Sequence, residues 1–205
     1  MSGRAFRSVK RTVALTHIVL AVGCLPRTTA KAPETRVEAT NLAPPPGTAL
    51  EQACTPTGPE LCFNAIDDNC NGVIDEGCGL QTGLLQFTIA WNIPQADVNL
   101  VVVTPSGERV PSDHARSAPN GFHSDRDCPG EDGCGGQNIE NVSFDGPEPP
   151  RGHYVVEIAL VDSHGVDEPV RVHFGARLGP RTVGFAVDLA PGEDTKRAVF
   201  SFDMP

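Results

Sequence analysis

The 205-residue chain is poor in three things, and each shortage excludes a class of protein. Positive charge is the first: 16 Lys and Arg stand against 26 Asp and Glu, and no base occurs between Arg36 and Arg109. A nucleic-acid binder needs a basic surface to neutralise phosphates, so that class is set aside. Apolar runs are the second, since none reaches the roughly 18–20 residues that span a bilayer as a helix. Aromatic residues are the third, at 5%, with one Trp and one Tyr. Catalytic signatures are also missing: the chain carries no HExxH, G-x-S-x-G, Walker glycine loop or CxxC. Asp162, Ser163 and His164 are adjacent, and neighbouring side chains in a strand or turn do not converge as a triad. No enzyme activity is expected.

What the chain does contain is glycine, proline and cysteine, at 21, 19 and 7 residues. The first two favour turns and short strands over long helices. The odd cysteine is explained at the N-terminus. Arg4, Arg7, Lys10 and Arg11 precede a short apolar stretch, Val13 to Gly23, the pattern of a secretory signal. Leu20-Ala21-Val22-Gly23-Cys24 resembles the bacterial lipobox, which implies a signal peptide over 1–23 and a lipidated Cys24. Leu25, where an inner-membrane retention signal would place Asp, implies outer-membrane export. The membrane is thus a partner through acyl chains, each buried CH₂ contributing about 0.8 kcal/mol. Without residues 1–23 the chain has 12 bases against 26 acids, a net charge of −14.

Residues 24–53 are rich in Pro, Thr and Ala with no period of 2 or 3.6, and read as a disordered tether. Residues 80–205 alternate. Leu85, Phe87, Ile89 and Trp91 share a face, as do Tyr154, Val156, Ile158 and Leu160, and likewise Val183, Phe185, Val187 and Leu189. Val170, Val172 and Phe174 alternate with Arg171 and His173, and Phe200 and Phe202 close the chain. With Val98–Val103 and a short Asn141–Phe144, this predicts an all-β fold, an antiparallel sandwich of about seven strands.

Between tether and sandwich, residues 54–79 hold four cysteines at intervals of eight: Cys54, Cys62, Cys70 and Cys78. In an exported chain an even set reads as disulfides, and four cysteines allow three pairings that sequence does not choose between. Tetrathiolate zinc is the competing reading, though it prefers short C-x₂₋₄-C pairs. Counting from Asp67, oxygen-bearing residues fall at 1, 3, 5 and 9, as Asp67, Asn69, Asn71 and Asp75, with Gly72 at 6 and the Val73 carbonyl at 7. This is EF-hand spacing, in which alternate residues aim oxygens inward and glycine permits the sharp turn. Position 12 is Cys78, and Glu76 or Asp68 is the nearest source of the missing oxygen. The expected cofactor is calcium, held weakly at about 10⁻⁴–10⁻³ M as in extracellular modules. A metal-free Asx-rich turn uses the same residues. The string from Glu60 to Cys78 resembles the Cys-rich metal-binding repeat of the MopE type and is similar to thrombospondin type 3 calcium repeats. That resemblance covers about 19 residues and implies metal binding outside the cell, not an activity.

Three segments resemble YfaP-like β-sandwich domains: Trp91 to Gly107 with its Ala96-Asp97-Val98-Asn99-Leu100 core, Asp125 to Val142, and Gly152-His-Tyr154-Val-Val156. The resemblance supports a fold more than a role. Asp97 and Asn99 lie opposite Val98, Leu100 and Val102 in the strand, and Asp125, Asp127, Asn138 and Glu140 follow. A second calcium site from Asp97, Asn99, Asp125 and Asp127 is one expectation, and a polar loop pinned by a Cys128–Cys134 disulfide is the other. The overall expectation is a lipid-anchored protein of the outer membrane or cell surface with a calcium-stabilised binding or adhesion role toward a protein or glycan. The alternatives are a lectin-like module and an extracellular metal-sequestering protein. A lectin would want exposed rings, and both Trp91 and Tyr154 are expected to face the core.

Overall fold

Alternation in the sequence becomes alternation in burial. Along Asp97–Val103 the even residues Val98, Leu100 and Val102 are buried and the odd ones half-buried. Residues with period 2 put one face in the core, and each fully buried Val, Leu, Ile or Phe contributes about 1.5–3 kcal/mol. The computed structural model describes residues 38–51, 58–111, 121–128, 134, 136–192 and 196–205, all within one compact unit, Thr35–Pro205. The signal segment, Cys24, Cys54 and His114 lie outside the described residues.

Ten strands are described: β1 (Thr40–Ala43), β2 (Leu85–Trp91), β3 (Asp97–Val103), β4 (Arg109–Pro111), β5 (Phe122–Asp125), β6 (Ile139–Phe144), β7 (Gly152–Asp162), β8 (Val170–Leu178), β9 (Arg181–Leu189) and β10 (Arg197–Met204). They form two five-stranded antiparallel sheets, β1-β10-β7-β3-β4 and β5-β6-β2-β8-β9. The sandwich is therefore confirmed, with β1, β4 and β5 added to the expected seven. No α-helix occurs among the described residues.

The scarce aromatics are concentrated. Phe144, Phe122, Tyr154, Phe202, Phe200, Phe174 and Phe185 run as a continuous series of ring contacts between the sheets, with centroids 4.7–5.7 Å apart except for 6.5 Å between Phe122 and Tyr154. Phe87 joins at Phe202, 5.8 Å away. Tyr154 is fully buried with its hydroxyl donating to Pro150 O at 2.8 Å, and Trp91 donates to Ala96 O at 2.9 Å. Both rings face inward as expected, and neither is a sugar platform.

Two departures matter for the site. First, residues 40–43 lie in the stretch expected to be tether, yet form β1 on the edge of β10. Asn41 Nδ2 donates to Asp203 at 2.7 Å, and Glu51 exchanges two 2.9 Å backbone bonds with Gly184 on β9. Residues 38–51 thus run from one sheet to the other. Second, β2 is buried on both faces, not one. Its outward Gln86 and Thr88 have no solvent exposure because the Cys-rich segment lies over them. At Gly175 of β8 the approach is so close that a Cβ would stand 2.2 Å from Ala65 O. Only glycine fits there.

Candidate metal centre

Residues 58–79 contain no described helix or strand, so their backbone groups need other partners. The acidic side chains provide them. Phe63 and Ala65 both adopt left-handed φ, +69° and +60°, and successive N–H groups converge into an anion-binding nest. Asp75, fully buried, sits in it: Oδ1 accepts from Phe63 and Asn64 N–H, and Oδ2 from Ala65 N–H at 3.0 Å. Glu60 closes the segment from the other side, accepting N–H of Asp68 (3.0 Å), Asn69 (3.3 Å) and Asp75 (2.8 Å). Asp68 Oδ2 takes Leu61 N–H at 3.2 Å and the Asn64 amide at 2.8 Å. No base helps them. Burial pushes the Glu60 carboxyl up to about 7 and the Asp75 carboxyl up to about 6, against the opposing pull of their backbone hydrogen bonds. Neighbouring carboxylates raise both further.

The expected loop turn is built, and Asp75 alone of its expected oxygen donors is turned away from it. Asp67 accepts Asn71 N–H at 3.0 Å and Gly72 N–H at 2.8 Å. Asn69 Oδ1 accepts Asn71 N–H at 3.0 Å, and Asn71 Oδ1 accepts Val73 N–H at 2.9 Å. Gly72 has φ +88°, as the sharp turn requires. Asp75 does not face this loop, because its two oxygens are engaged by the nest. Glu76 faces it instead. Its Oε1 accepts from the side-chain amides of both Asn69 and Asn71, while its Oε2 is buried with no hydrogen-bond partner. An unpartnered carboxylate oxygen, two amide oxygens with a lone pair to spare, and Asp67 suit a hard cation that takes oxygen ligands. These are oxygen donors of the kind calcium takes, with Glu76 as the expected extra carboxylate and Asp75 not among them. Among the described residues no three His, Cys, Asp or Glu side chains form a ready cage. The candidate set depends on the amides.

Disulfides hold the segment and remove thiolate chemistry from it. Cys62 and Cys78 are bonded, with Cα atoms 5.4 Å apart, and Cys70 is also in a disulfide. The second expected bridge, Cys128–Cys134, is present. Just before it, the Arg126 guanidinium lies 4.9 Å over the Phe63 ring, a cation–π contact between this loop and the module.

The second expected calcium site is not assembled as drawn. Asp125 is occupied elsewhere: Oδ2 accepts Gln81 N–H at 2.7 Å and Oδ1 the Asn141 amide at 2.8 Å, so it fastens the end of the module to β6. Asp97 and Asn99 meet Glu140 instead. The Asn99 amide nitrogen, turned toward the acids, reaches Asp97 Oδ1 at 3.1 Å and Glu140 Oε1 at 3.3 Å. Glu140 Oε2 accepts Leu100 N–H at 2.7 Å, tying β6 to β3 across the core. The Asp127 backbone carbonyl lies 3.5 Å from the Cys134 sulfur, which is in the disulfide and has no proton to donate. Asp97 and Asn99 belong to one hydrogen-bond network and Asp125 to another, because Asp125 and Asn99 lie on different sheets and face different neighbours.

Beside the loop is an open polar cavity of about 460 Å³. Glu38, Glu51, Asp67, Asn71, Arg181 and Thr182 line it, drawn from the N-terminal segment, the module and the start of β9. Sequence reading placed none of the N-terminal residues here, since their approach depends on β1. No family model, curated protein or solved structure matches the chain.

Proposed function

We propose that this chain is an exported, lipid-anchored binding protein of the bacterial cell envelope, without catalytic function, whose Cys-rich module is completed by calcium. The observation that carries the metal is Glu76, with one carboxylate oxygen between two asparagine amides and the other buried without a partner. Asp67, Asn69, Asn71 and Glu76 would hold the ion, with the Val73 carbonyl available at position 7. The ion would supply the positive charge absent from the module. Oxygen-only ligands favour calcium over copper or zinc, because Cys62, Cys70 and Cys78 are oxidised and no histidine belongs to the loop. The lipobox-like Leu20–Cys24 and the disulfides support export. The buried Trp91 and Tyr154 count against a lectin-like role.

Calorimetry and thermal melts of the oxidised Thr35–Pro205 unit with Ca²⁺, Zn²⁺ and Cu²⁺ test this. Calcium should bind at about 10⁻⁴–10⁻³ M and raise Tm in proportion to ln(1 + [Ca²⁺]/Kd), and Glu76→Gln should weaken both. Micromolar Cu²⁺ binding with no calcium response would replace this reading with metal capture.

A further inference from the structure

Among the described residues two other buried polar side-chain atoms lack partners, and their chemistry differs from that of Glu76. They are Gln86 Oε1 on β2 and Ser143 Oγ on β6. The two residues stand directly opposite each other in the strand pairing, and neither has any solvent exposure. The orientation of the Gln86 amide is fixed. Its nitrogen donates to Ile74 O at 2.9 Å and lies 3.3 Å from both Thr88 Oγ1 and Asn141 Oδ1. A backbone carbonyl can only accept, so the nitrogen belongs on that side and the oxygen faces away from it.

Directly opposed residues in an antiparallel pair have Cβ atoms about 4.5–5.5 Å apart, close enough for one small molecule to touch both side chains. Leaving an amide oxygen and a hydroxyl buried and unpaired is unfavourable, so a partner is called for. Its chemistry follows from the neighbours. Ser143 can give or take one hydrogen bond and Gln86 Oε1 can only take. No carboxylate belongs to this cross-strand row. It continues to His123 on one side and Arg177 on the other, both basic or potentially so, which disfavours a cation.

We propose that a single ordered water, donating to Gln86 Oε1 and bonded to Ser143 Oγ, completes the joint between the Cys-rich module and the second sheet. Buried waters of this kind link otherwise unsatisfied polar groups and are costly to remove. The position gives it a role. Gln86 holds the carbonyl of Ile74, which lies between Val73 of the candidate cation loop and Asp75 of the nest. The water fixes the amide that fixes that residue.

Two measurements on the Thr35–Pro205 unit test the proposal. Water cross-relaxation spectra should show a long-lived water at the Gln86 side-chain amide protons. Ser143→Ala should lose that signal and lower Tm by a few degrees, because the water keeps only one partner. Absence of the cross-peak in the unsubstituted protein overturns the proposal. So does an unchanged or raised Tm in Ser143→Ala, the result expected when an unpaired buried hydroxyl is simply removed. A sodium- or potassium-dependent Tm that Ser143→Ala abolishes would make the occupant a cation and also overturn it.

Discussion

The sandwich and the module lie against each other, yet are held by opposite means. Between the sheets, apolar strands close around a continuous series of aromatic rings, and nearly every residue that matters is apolar. In residues 58–79 the buried apolar residues are Ala65, Ile74 and Cys78, and four carboxylates take the place of a core by collecting backbone N–H groups. The first arrangement is self-sufficient, because hydrophobic burial needs no partner outside it. The second is not. Its acids repel one another, its left-handed residues are strained, and its Ala65 and Ile74 lie against Gly175 of β8. A segment of this size has too little core to fold alone, and here disulfides and the sandwich supply what it lacks.

The sharpest way to break the comparison is through the core. Phe200→Ala removes a ring that touches Phe174, Phe185 and Phe202. It should cost about 3–5 kcal/mol, and chemical denaturation should show the same loss with and without calcium. A loss that calcium rescues fully would mean the module, not the core, dominates stability.

Gly175→Val attacks the contact between the two regions. A Cβ there collides with Ala65 O, and neither backbone can move far. A destabilisation of about 1–3 kcal/mol is expected, confined to the module. Limited proteolysis should then cut within residues 58–79 while the near-UV signal of Trp91 persists. Simultaneous loss of both signals would show one cooperative unit instead of two unequal partners.

The third test is pH, which needs no substitution. Glu60 and Asp75 have folded-state carboxyls raised from 4.5 to about 7 and from 3.8 to about 6. Groups raised on folding favour the folded state while protonated, so their stabilisation is complete below the unfolded values and is lost as pH rises through the folded ones. In metal-free buffer Tm should therefore fall between about pH 4 and about pH 7. Calcium should flatten the decline, and a Tm that rises over this range without metal would contradict the burial argument.

The sequence was most legible where side-chain period sets structure. Alternation of apolar residues in the sequence located β2, β3, β7, β8, β9 and β10, because period 2 leaves a pattern that can be counted, and β6 was expected only as a short strand. The glycine of the loop was legible for the same reason, since a sharp turn has a residue signature. β1 was not legible. Thr-Asn-Leu-Ala beside three prolines carries no alternation, and its pairing comes from the free edge of β10 and from Asp203, far away in the chain. The diversion of Asp75 was equally hidden. It depends on left-handed Phe63 and Ala65, residues with no preference for that conformation. Gln86 and Thr88 read as a solvent face, and only the module's docking buries them.

Residues 38–51 have a mechanical consequence. They bond to the edge of β10 at Thr40–Ala43 and to the edge of β9 at Glu51, with Pro44, Pro45 and Pro46 between. Tension arriving from the N-terminal side, where a lipid anchor would pull, meets the β10 contact first and the β9 contact only after that one yields. The two attachments carry load in series. The stretch between them would then pay out as slack before force reaches the aromatic interior, making this segment a shock absorber for the fold.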